Sequence, residues 1–130
     1  MPWVVRFHPL FDGEIQALSE AVQDALLKRA GLLERFGPAL GRPAVDTLGG
    51  SKHKNMKELR FDADDGVWRV AFAFDPKRQG VLLVAGDKSG TAQKEFYRRL
   101  IERADTRYDD HLVRLKEEEA KSRKEKDRKQ

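Results

Sequence analysis

Hydrophobic and polar positions alternate with a period of two in the middle of the chain, which is the pattern of β-strands. Within 67–74 every second residue is bulky and apolar: Trp68, Val70, Phe72 and Phe74. The opposite face holds small residues around one cation, Arg69. The segment 56–61 alternates in the same way, and the acidic, glycine-containing turn 62–66 joins the two arms. The pattern predicts a β-hairpin, and a third strand follows at 81–85.

Apolar residues at helical spacing lie on both sides of this meander. The first group predicts a helix that begins at an N-cap, Asp12, and ends near Gly31. Its apolar positions are Ile15, Leu18, Ala21, Val22, Ala25 and Leu26. A second short helix is predicted at 32–36. The last group predicts a helix that opens at 89–91, and its stripe consists of Ala92, Phe96, Leu100 and Ala104.

Two segments complete the predicted order of elements. A short strand is expected at 3–7. The segment 41–55 contains proline, paired glycines and several polar residues, which is typical of a loop. The resulting order is β, α, α, β, β, β, α. We expect one core between sheet and helices, formed by Leu59, Phe61, Trp68, Val70, Phe72, Leu83, Leu18, Val22 and Phe96.

The charge pattern separates a body from an extension. The chain carries a net charge of +4, and its last 17 residues, with eight basic and five acidic side chains, account for +3 of it. We expect one domain over 1–113 and a solvated extension over 114–130 that frays to disorder, because nothing after Leu115 offers an apolar face. Truncation of the chain after Arg114 is expected to leave the melting temperature of the protein nearly unchanged.

Composition excludes several classes of site. The absence of cysteine excludes disulfides, thiolate zinc sites and thiol nucleophiles. No apolar run reaches the roughly 20 residues that span a bilayer, and no signal peptide is evident, so a cytoplasmic protein without a membrane partner is expected. The sequence has neither a glycine-rich phosphate loop nor metal-ligand spacing, so no metal and no nucleotide or other cofactor is predicted.

The cations of the body are local rather than uniform. They are Lys52, Lys54, Lys57, Arg60, Arg69 and Lys88. A basic patch on a nearly neutral body indicates a phosphate-bearing partner that is met at one site.

An ordered set of motifs resembles a known family. The first motif, after the predicted helices, is Leu48-Gly49-Gly50, and the second is Lys57-Glu58-Leu59-Arg60. Trp68-Arg69-Val70 comes about eight residues after the Glu-Leu-Arg motif. Ala85-Gly86-Asp87-Lys88 and a helix complete the set. From about Val4 to His111 the chain resembles the RelE/HigB superfamily of toxins from toxin–antitoxin systems, especially the phage-derived HigB-like branch.

The resemblance implies a fold, an activity and partners. The fold is an α+β one, with a small twisted antiparallel sheet packed against two N-terminal helices and a C-terminal helix. The activity is that of a metal-independent endoribonuclease that cuts mRNA, in many members on the ribosome, by attack of a ribose 2′-OH on the neighbouring phosphate. A cognate antitoxin protein wraps and blocks such a toxin.

The residues of this chain fit that chemistry. Attack by a 2′-OH needs a proton acceptor, positive charge on the phosphate oxygens and an acid for the leaving oxygen. Arg60 and Arg69 lie on facing hairpin arms, and arginine donates bidentately to phosphate. We expect both to contact the scissile phosphate, with Lys88 at the rim. Lys52, Lys54 and Lys57 are expected to bind RNA.

The identity of the general base is open. Some members of the superfamily carry two lysines on the first hairpin arm, where this chain has Met56 and Glu58. His53, Lys54 and Glu58 are the candidates, and His53 has the ordinary pKa nearest neutrality. For Glu58 an ion pair with Arg60 or Arg69 is the preferred interpretation.

Tyr97 has a structural interpretation beside its functional one. Tyr97 either stacks on a base or packs on the core. His8 and His111 have no predicted partners and are expected at the surface.

Two other functions fit the same motifs. One is a toxin of this fold that poisons DNA gyrase through protein contacts, and the other is a non-catalytic RNA- or ribosome-binding module. Arg60, Arg69 and Lys88 on one surface favour the nuclease.

Overall fold

A computed structural model describes residues 2–128, which form a mixed sheet between helices. The strands are β1 Val4–Phe7, β2 Val45–Thr47, β3 Lys57–Ala63, β4 Gly66–Phe74 and β5 Gln79–Asp87. The helices are α1 Pro9–Ile15, α2 Glu20–Phe36 and α3 Gln93–Arg128, and a short 3-10 turn, Gly37–Ala39, follows α2. The predicted α+β class and the three helices are confirmed.

The sheet has the strand order β1-β5-β4-β3-β2. All pairs are antiparallel except the edge pair, in which β1 runs parallel to β5. The predicted central meander is therefore confirmed. Its first turn is tight: Ala63 pairs with Gly66, and both intervening residues, Asp64 and Asp65, have positive φ. Aspartate tolerates this left-handed conformation, which suits a two-residue hairpin turn.

Both faces of the sheet are covered, so the prediction of one core is wrong. The first core lies between the sheet and the two N-terminal helices: Phe11, Val22, Leu26, Ala30, Leu33, Val45, Leu59, Phe61, Val70, Phe72 and Leu82. The second lies between the sheet and α3: Leu48, Met56, Ala71, Ala73, Val81, Leu83, Val84, Phe96, Leu100, Ala104 and Tyr108. Successive strand residues point to opposite faces, so the small residues of β4 pack beneath α3.

The helix boundaries in the N-terminal half differ from those predicted. Asp12 lies in the first turn of α1, and the side chain of His8 caps that helix instead. Ser19 caps α2, which continues through Gly31 to Phe36, so the separate helix predicted at 32–36 is instead the end of α2. A glycine inside a helix costs only about 1 kcal/mol relative to alanine, and the buried apolar face of α2 offsets this cost. The predicted loop 41–55 contains strand β2, which pairs with β3.

The final helix extends much further than its apolar stripe. Leu115 is buried, and the helix continues to Arg128 with exposed side chains apart from the half-exposed Glu119. The Nζ of Lys77 lies 2.8 Å from Oε1 of Glu119 and ties the extension to the β4–β5 turn. The extension is solvated as expected, but it is helical as far as Arg128. Residues 129 and 130 of the predicted extension lie outside the described range, and the domain boundary at 113 stays a prediction.

The position of Leu115 changes the expected effect of truncation. A chain that ends at Lys116 loses the exposed Lys77–Glu119 pair, which contributes at most about 1 kcal/mol, so its melting temperature should fall by only a few degrees. A chain that ends at Arg114 also loses a buried leucine and should be destabilised by a further ~2 kcal/mol. Thermal unfolding of both chains measures this difference. Equal melting temperatures would show that Leu115 adds no stability.

His8 and His111 are buried, in contrast to the prediction that they lie at the surface. The Nε2 of His111 lies 2.7 Å from Oδ2 of Asp75. The Nδ1 of His8 accepts from the backbone N–H of Leu10, so its Nε2 carries the proton and donates to Asp110. Burial lowers the pKa of His8, and this effect outweighs the hydrogen bond with Asp110, which raises it.

The lowered pKa of His8 predicts acid sensitivity. The unfolded chain takes up a proton at this histidine at a higher pH than the folded one, so stability is full above a pH of about 6.5 and falls as the pH drops further. His8→Asn retains a helix-capping acceptor but does not titrate. We expect the loss of melting temperature between about pH 7.5 and pH 5.5 to be smaller in this variant than in the wild type. An equal loss in both would contradict the assignment.

No helix within residues 2–128 is long and apolar enough to cross a membrane.

Candidate functional site

The register of the hairpin places Arg60 and Arg69 directly opposite each other. Arg60 on β3 pairs with Arg69 on β4, and the next pair on the same face is Glu58 with Ala71. Directly opposite residues have Cβ atoms about 5 Å apart. Two like charges at this distance destabilise the sheet unless negative charge compensates them. Glu58, on the same face, carries such a charge.

Glu58 lies between the two arginines. Its Oε1 is 3.8 Å from Nε of Arg60 and 3.9 Å from Nε of Arg69, and it accepts a hydrogen bond of 3.2 Å from the hydroxyl of Tyr97. The predicted ion pairing of Glu58 is therefore confirmed. The residue is 5 % exposed. Burial raises the pKa of the Glu58 carboxyl, although the Tyr97 hydrogen bond and the two guanidiniums act in the opposite direction.

The polar groups at the centre of this cluster are not fully satisfied. Among the described residues, Oε2 of Glu58 and Nε of Arg69 are buried without a hydrogen-bond partner. Nearly all buried polar groups in folded proteins are paired, and each exception requires an explanation. An unpaired donor and an unpaired acceptor in one buried cluster indicate that the cluster has a role beyond stability.

The first turns of α3 cover one side of the cluster. Tyr97 is half-buried against the second core, edge-on to Phe96 at a ring separation of 5.2 Å. Burial raises the pKa of the Tyr97 phenol, while the neighbouring Arg69 guanidinium lowers it. The Nζ of Lys88 lies 6.0 Å from the centre of the tyrosine ring. Glycine at position 86, which pairs with Arg69, permits this covering, because a Cβ there would meet the Phe96 ring at 2.9 Å.

The cover that α3 provides also buries Arg69. Its neighbours on β4 are small, yet the residue is only 5 % exposed. Its Nη1 donates to the carbonyl of Trp68 at 2.9 Å. Arg60 is the open member of the pair: its side chain is 34 % exposed, and its guanidinium makes no hydrogen bond to any of residues 2–128. Its other carboxylate neighbour is Asp46 on β2, at 3.9 Å.

The predicted loop residues lie elsewhere. The Nε2 of His53 is 2.8 Å from Oδ1 of Asp109, and Lys52 pairs with the same carboxylate. Asp109 follows Tyr97 by 12 residues on α3, which is about 18 Å along the helix. Lys54 is exposed on this loop. The loop is therefore not brought to the arginine pair.

Lys57 is also separated from the arginine pair. It alternates with Glu58 on β3 and pairs with Phe72 of the first core, so it lies on the opposite face of the sheet from Arg60. Of the eight predicted site residues, the structure brings together Arg60, Arg69, Lys88 and Tyr97.

The sequence analysis missed the contribution of Asp46. This residue belongs to β2, which has only three residues and is too short for a periodic pattern. The β-branched residues Val45 and Thr47 on either side of it were the available signal. Asp46 and Glu58 pair across β2 and β3, so two carboxylates face Arg60.

The chemical capacity of the cluster follows from this geometry. A half-exposed guanidinium with free donors is a binding group for phosphate or carboxylate. A carboxyl whose pKa is raised by burial is a stronger proton acceptor than one at its ordinary pKa. The hydroxyl of the half-buried Tyr97 donates a hydrogen bond to that carboxyl and is itself a group through which a proton can pass.

Comparison with known proteins places the chain in a family. The sequence profile of the phage-derived Gp49-like proteins (DUF891) matches residues 13–109. The chain is 46 % identical over 96 residues to a protein named putative toxin HigB2 of Mycobacterium tuberculosis H37Rv, in an alignment that covers 73 % of this chain and 47 % of that protein. It is 49 % identical over 82 residues to putative toxin HigB3 of the same organism, covering 63 % of this chain and 69 % of HigB3. The chain thus spans about half the length of HigB2.

Solved structures support the fold. A chain of the archaeal RelE–RelB complex from Pyrococcus horikoshii OT3 matches with a TM-score of 0.52 and 20 % identity over 70 % of this chain and 100 % of that one. A double-mutant form of the E. coli toxin RelE in the free state matches with a TM-score of 0.53 and 13 % identity over 78 % of this chain and 95 % of that one. At these identities the likeness shows a shared fold.

Proposed function

Because the chain belongs to the Gp49-like family and to the RelE/HigB superfamily of toxins, we propose that it is a toxin that cleaves mRNA, on the ribosome, without a metal ion. The observation that carries this proposal is the arginine pair around Glu58, in which one guanidinium is open to solvent and retains free donors. Its partner in the cell is proposed to be a cognate antitoxin protein, as the names of its relatives suggest.

Arg60 is proposed to bind the scissile phosphate. Its guanidinium lies close to carboxylates, at 3.8 and 3.9 Å, but forms no hydrogen bond with them. Its donors are therefore available for a phosphate without the loss of an existing hydrogen bond. Negative charge on the phosphate oxygens grows in the transition state, so a preorganised donor at this position accelerates the reaction.

Glu58 is proposed to be the general base, acting through Tyr97. The sequence left His53, Lys54 and Glu58 as candidates, and of these Glu58 is the one beside the arginine pair. The hydroxyl of Tyr97 donates to Glu58, so it accepts the proton of the attacking 2′-OH while it passes its own to the carboxylate. Requiring a 2′-OH also explains a preference for RNA over DNA.

Arg69 and Lys88 have supporting parts in this proposal. Arg69 is buried and its Nε faces Glu58, so it holds the carboxylate in place and limits the rise of its pKa. Lys88 is half-exposed at the end of β5, beside the Tyr97 ring, and supplies a further cation for the RNA backbone. Lys52 and Lys54 lie on a separate loop, where they are proposed to contact RNA beyond the cut. Lys57 is on the other face of the sheet from Arg60, so RNA bound at Arg60 would have to extend around the edge of the sheet to contact Lys57.

The experiment that tests the activity is a map of cleavage in cells. The chain is induced in bacteria, and the new 5′ ends of mRNA are sequenced. We expect growth arrest together with new 5′ ends within translated regions. Growth arrest without new ends would refute cleavage and support the alternative in which a toxin of this fold acts through protein contacts.

Arg69→Ala is expected to destabilise the protein and to impair cleavage. Removal of Arg69 leaves a buried carboxylate without one of its two cations, which costs about 1–3 kcal/mol. The free energy of unfolding from denaturant titration measures this loss. In the double variant Arg69→Ala/Glu58→Gln part of the stability should return, because the buried charge is removed together with its partner. If the loss of unfolding free energy in the double variant equals the sum of the losses in the two single variants, the two residues do not interact.

A further inference from the structure

Asp46 borders the Arg60 cluster, but the proposed reaction gives it no part. It lies on β2, directly opposite Glu58 of β3, so its side chain points to the same face of the sheet as Glu58 and Arg60. Within residues 2–128 no strand lies beyond β2, and the Asp46 side chain is 27 % exposed. The carboxylate therefore lies at the open border of the cluster, beside the guanidinium that is proposed to hold the scissile phosphate.

Two hydrogen bonds fix the orientation of the Asp46 carboxylate. Its Oδ1 accepts from the backbone N–H of Thr47 at 2.9 Å, and its Oδ2 accepts from Nη2 of Arg42 at 3.0 Å. Nη1 of Arg60 lies 3.9 Å from Oδ2, beyond hydrogen-bond distance, so the carboxylate is not drawn onto Arg60. A carboxylate has about four acceptor sites, so each oxygen is able to accept one more hydrogen bond from a ligand.

Asp46 is ionised at neutral pH. The hydrogen bond from Arg42 is the main reason that the pKa of Asp46 lies below its ordinary value, and the hydrogen bond from Thr47 and the charge of Arg60 act in the same direction. An ionised carboxylate accepts hydrogen bonds and donates none. Asp46 is therefore unsuited to protonate the leaving oxygen, and a ligand that binds it has to present donors. Arg42 and Arg60 lie on either side and compensate its charge, so an RNA backbone is able to approach.

Of the four RNA bases, guanine presents the donors that match such a carboxylate. Single-stranded RNA exposes the Watson–Crick edges of its bases. On guanine this edge carries two neighbouring donors, N1–H and N2–H, one for each carboxylate oxygen. Adenine and cytosine carry one amino donor beside a ring nitrogen acceptor, which would face the second oxygen. Uracil has one N–H between two carbonyl groups, which would both be repelled.

We propose that Asp46 selects guanine at one of the two nucleotides that flank the scissile phosphate, by accepting hydrogen bonds from N1–H and N2–H of the base. The inference rests on the proposed function and adds the base that the site prefers. Arg60 would hold the phosphate while Asp46, on the neighbouring strand, holds the adjacent base. A guanine would thus fix the position of the RNA on the cluster. Asp46 is a specificity-determining residue and takes no part in proton transfer.

A single-turnover cleavage assay with the full chain and ribosome-bound mRNA tests the choice of base. The substrates differ only in carrying guanine, inosine or adenine at one or the other position that flanks the mapped cut. Inosine keeps N1–H but lacks the 2-amino group, so it loses one of the two hydrogen bonds. At one of the positions we expect guanine to be cleaved about 10- to 100-fold faster than adenine, the usual discrimination by a bidentate contact, with inosine between them.

Asp46→Asn tests whether this residue is responsible. The amide has the shape of the carboxylate but offers one acceptor oxygen and one donor group, so it does not accept both guanine hydrogen bonds. A change in the charge around Arg60 and Glu58 acts on all substrates alike and cancels in the ratio of the guanine rate to the adenine rate. We expect this ratio to fall close to one. Asp62→Asn, the same chemical change at an exposed position of β3, should keep the wild-type ratio.

Equal rates with guanine and adenine at both positions would overturn the inference, and so would an Asp46→Asn protein that keeps the wild-type ratio. If that variant does not fold, the comparison of guanine with inosine in the wild-type chain decides the question, and equal rates with these two bases would overturn the inference. Absence of cleavage of every substrate would refute the ribonuclease proposal and this inference together, whereas cleavage without a base preference refutes only this inference.

Discussion

Glu58→Gln is expected to lower the rate of mRNA cleavage by about 100- to 10,000-fold, which is the range for loss of a general base. The amide has the shape of the carboxyl but does not accept the proton that Tyr97 passes on. Two opposing changes act on stability: the desolvation cost of a buried charge disappears, and so does its attraction to Arg60 and Arg69. We therefore expect a shift of only a few degrees in melting temperature. Single-turnover cleavage and thermal unfolding measure the two effects.

The pH dependence of the rate separates a base from a structural carboxylate. Burial raises the pKa of Glu58, so the wild-type rate should fall as the pH drops through that raised pKa, because the protonated carboxyl accepts nothing. This limb should vanish in Glu58→Gln. Asp62→Asn, the same chemical change at an exposed position of β3, is the matched control and should retain the wild-type profile. A Glu58→Gln protein with unchanged rate would exclude Glu58 as the base.

Arg60→Ala is expected to lower the cleavage rate by about 100- to 1,000-fold, the usual effect of losing one preorganised donor to a developing negative charge. The side chain is one-third exposed, so water screens its ion pair with Glu58, and its removal should cost less stability than the removal of the buried Arg69. Removal of one of two adjacent cations even relieves repulsion with Arg69. Cleavage kinetics under saturating substrate measure the effect.

A conservative change and a distant one serve as controls for Arg60. Arg60→Lys should restore only part of the rate, because a point charge lacks the bidentate fork of arginine. Arg35→Ala removes an exposed arginine from α2, beyond the first core, and should cleave as the wild type does. Full restoration by lysine would show that charge alone matters and would contradict bidentate contact with the phosphate.

Local patterns in the sequence were sufficient to predict the central meander. Alternation in β4 and the aspartate-rich turn specify the hairpin directly, and the direct pairing of Arg60 with Arg69 follows from that hairpin. Strand β2 was missed because three residues give no period. The extent of α2 was missed because Gly31 suggests an end, whereas burial of Ala30 and Leu33 on either side continues the helix.

The burial of Arg69 depended on contacts between distant parts of the chain. Its face of β4 carries only small neighbours, and the residue that covers the strand beside it, Phe96, belongs to α3 and packs onto Gly86. The histidine pairs also join residues that are far apart along the sequence. His8 and Asp110 are 102 residues apart, and His53 and Asp109 are 56 apart. No local pattern predicts such partners, so His53 was judged on its ordinary pKa instead of its position.

Cleavage of ribosome-bound mRNA by the purified chain, with one 2′-deoxynucleotide placed immediately 5′ of the mapped cut, measures most directly whether the Arg60–Glu58 cluster is a ribonuclease site. We predict that the unmodified RNA yields a 2′,3′-cyclic phosphate, that the deoxy substitution blocks the cut, and that Arg60→Ala and Glu58→Gln slow it on unmodified RNA. A cut at the deoxynucleotide at the wild-type rate, or undiminished cleavage by both variants, would contradict this assignment.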